Sequence, residues 1–339
     1  MMFIRPVRTE DLAAILALAQ NAGVGVTSLQ PDQALLAERI RRSEATMAGE
    51  ATLAEQGYLF VLEDSQSRQV VGLCGLEVAV GLQSPWYNYR VGVVSHMSSE
   101  FNVNRHVPTL FLSNDHTGHS ELCTLFLDKN WRHSKNGQLL SKSRLLFLRA
   151  FKERFSKKVV AEMRGVSDEH GKSPFWESLG RHFFTIDFAQ ADYLTGVGKK
   201  AFIAELMPKL PIYTSLLTEE AQAVIGKVHA QTEPARAMLE AEGLHYQGYI
   251  DIFDGGATLE AYVDDLRMVR QGHTLPVSQT TQTSTTGAFY LISNRQDKGF
   301  RVIMAQADSA EAAAHLTAAQ LDLLMLNPGD EADIASLVP

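Results

Sequence analysis

Between two apolar runs, ELCTLFLD (Glu121 to Asp128) and LLSKSRLLFL (Leu139 to Leu148), the chain crowds Lys129, Arg132, His133, Lys135 and Gly137 into one short turn. Where a strand enters a helix through such a turn, the first helical N–H groups lack internal partners and point outward together. The positive end of the helix dipole adds to their pull on an anion. With lysine and arginine side chains beside them, these amides suit a pyrophosphate. An ordinary strand-to-helix turn with solvated charges fits the same stretch equally well. Neither GxxxxGK[ST] nor GxGxxG occurs, so the spacing is not that of the common nucleotide loops.

A second polar cluster, NDHTGH (Asn114 to His119), offers Asp115, His116 and His119 but no complete ligand set at a zinc spacing, and no metal is expected. Cys74 and Cys123 both lie in apolar runs and read as buried reduced thiols. That usage fits a reducing cytoplasm.

Several elements must position the turn. FIRPVRTEDLAAILALAQNAG reads as a strand, a turn and a helix, with Thr9 able to cap and Leu12, Ile15, Leu16 and Ala19 on one apolar face. Tyr58 to Leu62 and Val70 to Val80 form a hairpin across the polar turn Asp64 to Arg68. FNVNRHVPTLFLSND and HSELCTLFLD are two further strands, the second running into the basic turn. After it KSRLLFLRAFKERF is helical, KVVAEMRGV is a strand, and SPFWESLG is a capped helix with proline at its first position. EEAQAVIGKVHAQTEPARAMLEAEG holds two more helices, the second closing on Gly243 before an aromatic-rich strand. FWESLGRHFF and MLEAEGLHYQGY echo one another, and whether that marks an internal duplication stays open. The tail adds strands at FYLIS, RVIMAQA and ADIASLV, with a helix around LTAAQLDLLM.

At 339 residues the chain exceeds one ordinary core. A net charge of −8 without a long basic block argues against a nucleic-acid partner. The opening MMFIRPVRTEDL has no secretory apolar region, and no run of about 18 apolar residues occurs, so no membrane partner is expected. The protein reads as soluble and cytoplasmic.

The order strand, helix, hairpin, strand, basic glycine turn, helix, strand, and then PFW-x-x-LG-x-x-FF, resembles the GNAT acyltransferase superfamily. Its phosphate loop is written Arg or Gln, two residues, Gly, one residue, Gly or Ala. Arg132 and Gly137 fit the outer positions, while Lys135 stands where the first glycine is usual. The fold implied is α/β of the α+β kind: a mixed, mostly antiparallel sheet flanked by helices, with a second GNAT-like half left open and a small β-rich C-terminal module. On this division, residues 1–192 are a GNAT-like acyl-CoA-binding domain and 193–270 its continuation or a second half carrying His229. Residues 271–286 are a linker or exposed loop, and 287–339 the C-terminal module.

Longer segments are similar to the arginine N-succinyltransferase family: PWYNYRVG, TLFLSNDHTG, ELCTLFLD, VVAEMRGV-x-DEHG-x-SPFW, KAFIAELMPKLPIY and YIDIFDGG. The similarity runs from Met1 to about Arg270 and more weakly through the tail. It implies transfer of succinyl from succinyl-CoA, a co-substrate and not a permanent cofactor, to the α-amino group of L-arginine, the first step of an arginine breakdown route. Ornithine is a possible second acceptor. The resemblance also implies His229 in IGKVHAQT as the acid/base and Leu125 as a succinyl-CoA contact. Pantetheine would run along CTLFL, with Leu127, Arg132, Asn136 and Gly137 completing the coenzyme site.

The chemistry agrees with those residue types. An α-amino group of pKa about 8 must lose a proton before it attacks, and imidazole is the matched base. Taken alone, His229 reads first as a histidine packed between helices. Glu121 is a second candidate base, with an exposed strand-end carboxylate as its plainer reading, and the N–H of Leu125 is a candidate oxyanion donor. Arg90, Arg164, Glu162, Asp168 and Glu169 could meet the substrate charges, without assigned roles. Two rivals stand: an N-acyltransferase for another donor or acceptor, and a non-catalytic acyl-CoA-binding subunit, which Lys135 in place of glycine favours. Monomer, homo-oligomer and heteromer with a paralogous subunit all stay open.

Overall fold

The computed structural model describes residues 1–22, 27–196, 206–282 and 284–338. Of the segment KAFIAELMPKLPIY, only Leu206 onward lies within them, and Gly23, Thr283 and Pro339 fall outside. Among the described residues, strands join into one 14-stranded sheet. Its centre is the hairpin of β2 (Gly57–Asp64) and β3 (Val70–Glu77), flanked by β1 (Met2–Pro6) and β6 (Ser120–Leu127). Beyond β6 follow β7 (Lys158–Glu162), β10 (Ala257–Tyr262), β9 (His245–Ile250), β4 (Asn88–Ser98), β5 (Val103–Ser113) and the edge strand β8 (Ile212–Tyr213). Beyond β1 follow β14 (Val302–Ala307), β13 (Ala288–Asn294), β16 (Glu331–Ser336) and β11 (His273–Pro276). β12 (Ser278–Gln279) and β15 (His315–Leu316) form a small ladder of their own. Neighbours in the large sheet are antiparallel except β6 and β7. The fold is therefore mixed α/β with a mostly antiparallel sheet, as the sequence reading expects.

Period-two alternation sorts the two faces. Leu59, Val61 and Leu73 face α1 (Leu12–Gln20) and α2 (Gln33–Ala48), whose Ile15, Leu18, Leu36 and Ile40 cover them. Phe60, Leu62 and Cys74 face the other way, onto Leu139, Leu145 and Phe147 of α3 (Asn136–Ala150). Each such side chain contributes about 1.5–3 kcal/mol by leaving water. α3 also reaches the tail through buried charges. Lys142 Nζ donates to Glu242 Oε1 and to Leu337 O, both at 2.7 Å, and Arg267 Nη2 reaches the same carboxylate oxygen at 2.6 Å.

Three details depart from the sequence reading. Thr9 does not cap α1: Thr9–Asp11 is a single 3₁₀ turn, and the Thr9 hydroxyl donates to Glu44 Oε2 at 2.9 Å. Asp11 is drawn inward because buried Arg5 needs it, accepting two guanidinium bonds at 2.7 Å each. Second, PWYNYRVG leads into β4, where no strand is expected; β4 pairs with β5 along its whole length. Beyond Arg90 this strand exposes residues of both faces, including Val93 and Val94, so no alternation marks it in the sequence. Third, His273–Pro276, in the stretch read as a linker, is β11 and pairs with β16. No described helix is long and apolar enough to cross a membrane.

Candidate active site

The site is built on an irregularity in β6. Its ladder with β3 shifts register between Leu73 and Gly75, and Thr124 takes a φ of 52°. A threonine in the left-handed region costs about 1–2 kcal/mol, so its surroundings must hold it. Arg39 Nη2 on α2 donates to Thr124 Oγ1 at 2.8 Å, and behind the bulge a Cβ added at Gly75 would lie 2.9 Å from Cys123 Sγ. On its other side β6 meets β7 only at Ser120 and Glu121. From Leu122 onward the two parallel strands part, leaving the backbone of β6 without a strand partner on that edge.

A cleft of about 1400 Å³ occupies the gap. Its lining includes Leu125, Leu127, Arg132, Asn136 and Gly137, so all five residues expected to hold the coenzyme share one cavity. Arg39, Arg164 and Asp254 line it as well.

At the end of β6 the chain turns through Lys129–Trp131, a 3₁₀ turn capped by Asp128, which accepts from Asn130 N at 2.8 Å. Ser134 and Lys135 then both take positive φ, 50° and 62°. Successive left-handed residues turn their amides toward one side, which is why glycine is usual at the Lys135 position. Here a lysine adopts the glycine conformation, and its Nζ lies 5.1 Å over the Phe289 ring of β13. The lysine therefore does not prevent the left-handed turn. Asn136 is 2% exposed and donates through Nδ2 to Trp131 O at 3.1 Å, so it braces the turn. Arg132 Nε donates to Leu127 O at 3.1 Å, which aims the exposed guanidinium along the turn. At Gly137 an added Cβ would meet only Leu127 Cδ2, at 3.8 Å.

His229 is not itself among the lining residues, but it is hydrogen-bonded to three that are, Arg164, Gln231 and Thr232. Its backbone N–H donates to Arg164 O at 2.9 Å, and its Nδ1 accepts from Gln231 N–H at 3.1 Å. An Nδ1 that accepts leaves the proton of the neutral ring on Nε2. Partial burial, and then the Arg164 charge, lower the His229 pKa below the ordinary imidazole value. Arg164 Nη2 donates to Ser167 Oγ at 3.3 Å, while its buried Nε has no hydrogen-bond partner among the described residues.

Beside Arg164, Asp254 accepts from Gly165 N–H at 2.6 Å and from Gly256 N–H at 2.8 Å. Burial and the neighbouring Asp251 raise its pKa well above the carboxylate range. DGG is thus a tight turn that also forms part of the cleft wall, at Asp254. Glu121 is 8% exposed at the start of the gap rather than an exposed strand end. His116 has both ring nitrogens engaged, Nδ1 with Asn88 Oδ1 at 2.7 Å and Nε2 with Glu260 Oε2 at 3.0 Å. Of the charged candidates left without roles, Arg164 and Glu162 line the cleft, whereas Arg90, Asp168 and Glu169 do not. Arg39 and Thr124 escape the sequence reading; the one trace of Arg39 is its place beside Leu36 and Ile40 on the buried edge of α2.

A bulged strand that parts from a parallel neighbour and runs into a basic turn at a helix N-terminus is the arrangement expected of an acyltransferase from the sequence, and the chain has the mixed, mostly antiparallel sheet that goes with it. More narrowly, it belongs to the arginine N-succinyltransferase family: residues 2–268 match the family described as arginine N-succinyltransferase beta subunit, and 273–336 match the C-terminal domain of that subunit. Proteins named arginine N-succinyltransferase from Escherichia coli (strain K12 / DH10B) and Shigella flexneri are each 55% identical over 337 residues, covering 99% of this chain and 98% of theirs. The solved structure of arginine/ornithine succinyltransferase subunit AI from Pseudomonas aeruginosa is 33% identical, with a TM-score of 0.91 over 100% of this chain and 99% of that one.

Proposed function

We propose that the chain transfers succinyl from succinyl-CoA directly to the α-amino group of L-arginine, and that His229 handles the proton. The observation that carries this reading is the parting of β6 from β7 beyond Glu121, ending at the turn Arg132–Gly137. Pantetheine pairs with the free edge of β6 beside Leu125 and Leu127. The pyrophosphate meets the N-terminal amides of α3 and the Arg132 guanidinium, and Asn136 keeps the turn in shape from below. The N–H of Leu125, next to the bulge, receives the oxygen of the thioester as it becomes an oxyanion.

The proton balance gives His229 its role. Arginine first loses one ammonium proton. As the C–N bond forms and the C–S bond breaks, the attacking nitrogen gives up a second proton and the departing thiolate gains one. Neutral at rest, His229 takes the proton of the attacking nitrogen as the C–N bond forms and, as imidazolium, gives one to the departing thiolate, so the ring is unchanged over the cycle; the Gln231 N–H at Nδ1 holds the ring in place. Arg164, with an unpartnered Nε beside that ring, suits the α-carboxylate of the acceptor.

A cytoplasmic location accords with two free thiols, both protonated at neutral pH because burial pushes Cys74 up to about 11 and Cys123 to about 12. The relative titled arginine/ornithine succinyltransferase makes ornithine the second acceptor to compare. The test is thiol release with succinyl-CoA or acetyl-CoA against arginine, ornithine and lysine. Fast release with succinyl-CoA and arginine is expected; no release from any pair, with coenzyme A still bound, would overturn the reading.

A further inference from the structure

A succinyl donor differs from an acetyl donor by a carboxylate at the far end of the acyl chain. Taking that carboxylate out of water without a cationic partner is costly, so a site that prefers succinyl needs a cation beyond the thioester, on the side away from the phosphates. Resting on the function proposed above, the acyl chain continues past the bulge at Thr124. Two guanidinium groups bond to the backbone or side chain of that bulge: Arg39 at Thr124 Oγ1, 2.8 Å, and Arg144 at Cys123 O, 3.1 Å.

They differ in what they have left to offer. Arg144 is 1% exposed, and its other nitrogens are committed to Ser141 O at 3.0 Å and Ser141 Oγ at 3.1 Å. Burial lowers its pKa, while Glu121 and the two thiols lie close enough to pull it back up. It is a strut beneath β6. Arg39 comes from α2, lines the cleft and is only half-buried. Its two terminal nitrogens are held by neutral oxygens, Ser28 O and Thr124 Oγ1. A guanidinium has five N–H donors, so these two bonds fix its plane without neutralising its charge. Among the described residues no carboxylate lies within ion-pair distance of Arg39, whereas Arg41 and Arg42 on the same helix each have one, Glu38 and Glu77.

We infer that Arg39 receives the distal carboxylate of the succinyl group and sets the preference for a dicarboxylic acyl donor. The bond from Thr124 gives the arrangement a second purpose: the residue whose strained conformation forms the bulge also orients the cation that reads the acyl end. The plainer reading, in which Arg39 only staples the Ser28 loop to β6, predicts equal damage with every donor.

Arg39→Gln and Arg39→Lys separate the two. The measurements are the ratio of kcat/KM for succinyl-CoA over acetyl-CoA with arginine, and the ratio of Kd for succinyl-CoA over that for free coenzyme A. Loss of a charge-assisted bond corresponds to roughly a 10- to 100-fold change. In Arg39→Gln the first ratio should fall and the second rise by that factor, with Arg39→Lys recovering part of both. Ratios that stay at their unsubstituted values while overall activity drops would overturn the inference, and the Kd ratio is readable even where acetyl transfer is too slow to follow. If the unsubstituted protein does not transfer succinyl to arginine, the function proposed above fails instead, and the Kd ratio still decides whether Arg39 recognises the carboxylate.

Discussion

The backbone of His229 hangs on that of Arg164: the amide of one donates to the carbonyl of the other at 2.9 Å, which brings the imidazole within reach of the guanidinium's charge. Burial and that guanidinium both disfavour a second proton on the ring. The form present at neutral pH is therefore the uncharged one.

His229→Ala should fold, since the ring fills no core position, and should lose about 10²- to 10⁴-fold in kcat. Its melting temperature checks the first statement and single-turnover rates the second. Near-normal turnover would remove His229 from the mechanism.

The acid limb of the kcat profile should have its midpoint below 6.5, because a group whose pKa is lowered stays neutral until the pH falls past that lowered value. Arg164→Gln takes away one of the two causes and should move the limb upward. The same substitution should raise KM for arginine far more than KM for succinyl-CoA. A limb that does not shift would mean that another group titrates there.

Lys135 holds a left-handed conformation that glycine adopts freely. Lys135→Gly should leave stability within about 1 kcal/mol, as relief of strain offsets the added freedom of the unfolded chain. Lys135→Val should destabilise by about 1–2 kcal/mol and weaken coenzyme A binding, because a β-branched residue resists this region. Denaturant titration and coenzyme A calorimetry on the pair would show it.

Glu242 is fully buried between Lys142 and Arg267, which are themselves 4% and 8% exposed. Glu242→Ala leaves two cations facing each other in the core and should lower stability by about 3–5 kcal/mol. Unfolding midpoints would measure it, and a loss under 1 kcal/mol would show that water already reaches the site.

The phosphate turn is readable in the sequence because its parts are local: basic side chains, a glycine and the start of a helix fall within nine residues, Lys129 to Gly137. The central strands β2, β3 and β6 are readable for a similar reason: covered on both faces, they are unbroken local runs rich in apolar residues. What escapes is non-local. Arg39 and Thr124 lie 85 residues apart, and nothing near either one announces the other. The parting of β6 from β7 leaves no mark either, since a strand that loses its neighbour halfway keeps the same side chains. His229 is a lone histidine by its own surroundings, and only the family resemblance singles it out. β4 hides although its partner β5 is legible, because beyond Arg90 both of its faces are exposed and its residues follow no period.

Synthesis separates the two neighbours of β1 in time. β1 lies between β2 and β14, so Ile4 pairs with Leu62 on one side and with Val302 on the other. At ordinary rates of synthesis the interval between making Ile4 and making Val302 is on the order of tens of seconds. Throughout it, a nascent chain that has already formed the β1, β2 and β3 ladder carries an open apolar edge, the kind that recruits other strands. The last-made module therefore acts as a seal: a ribosome that stalls before Val302 releases a sticky fragment, and only a chain read past that point can close its own sheet.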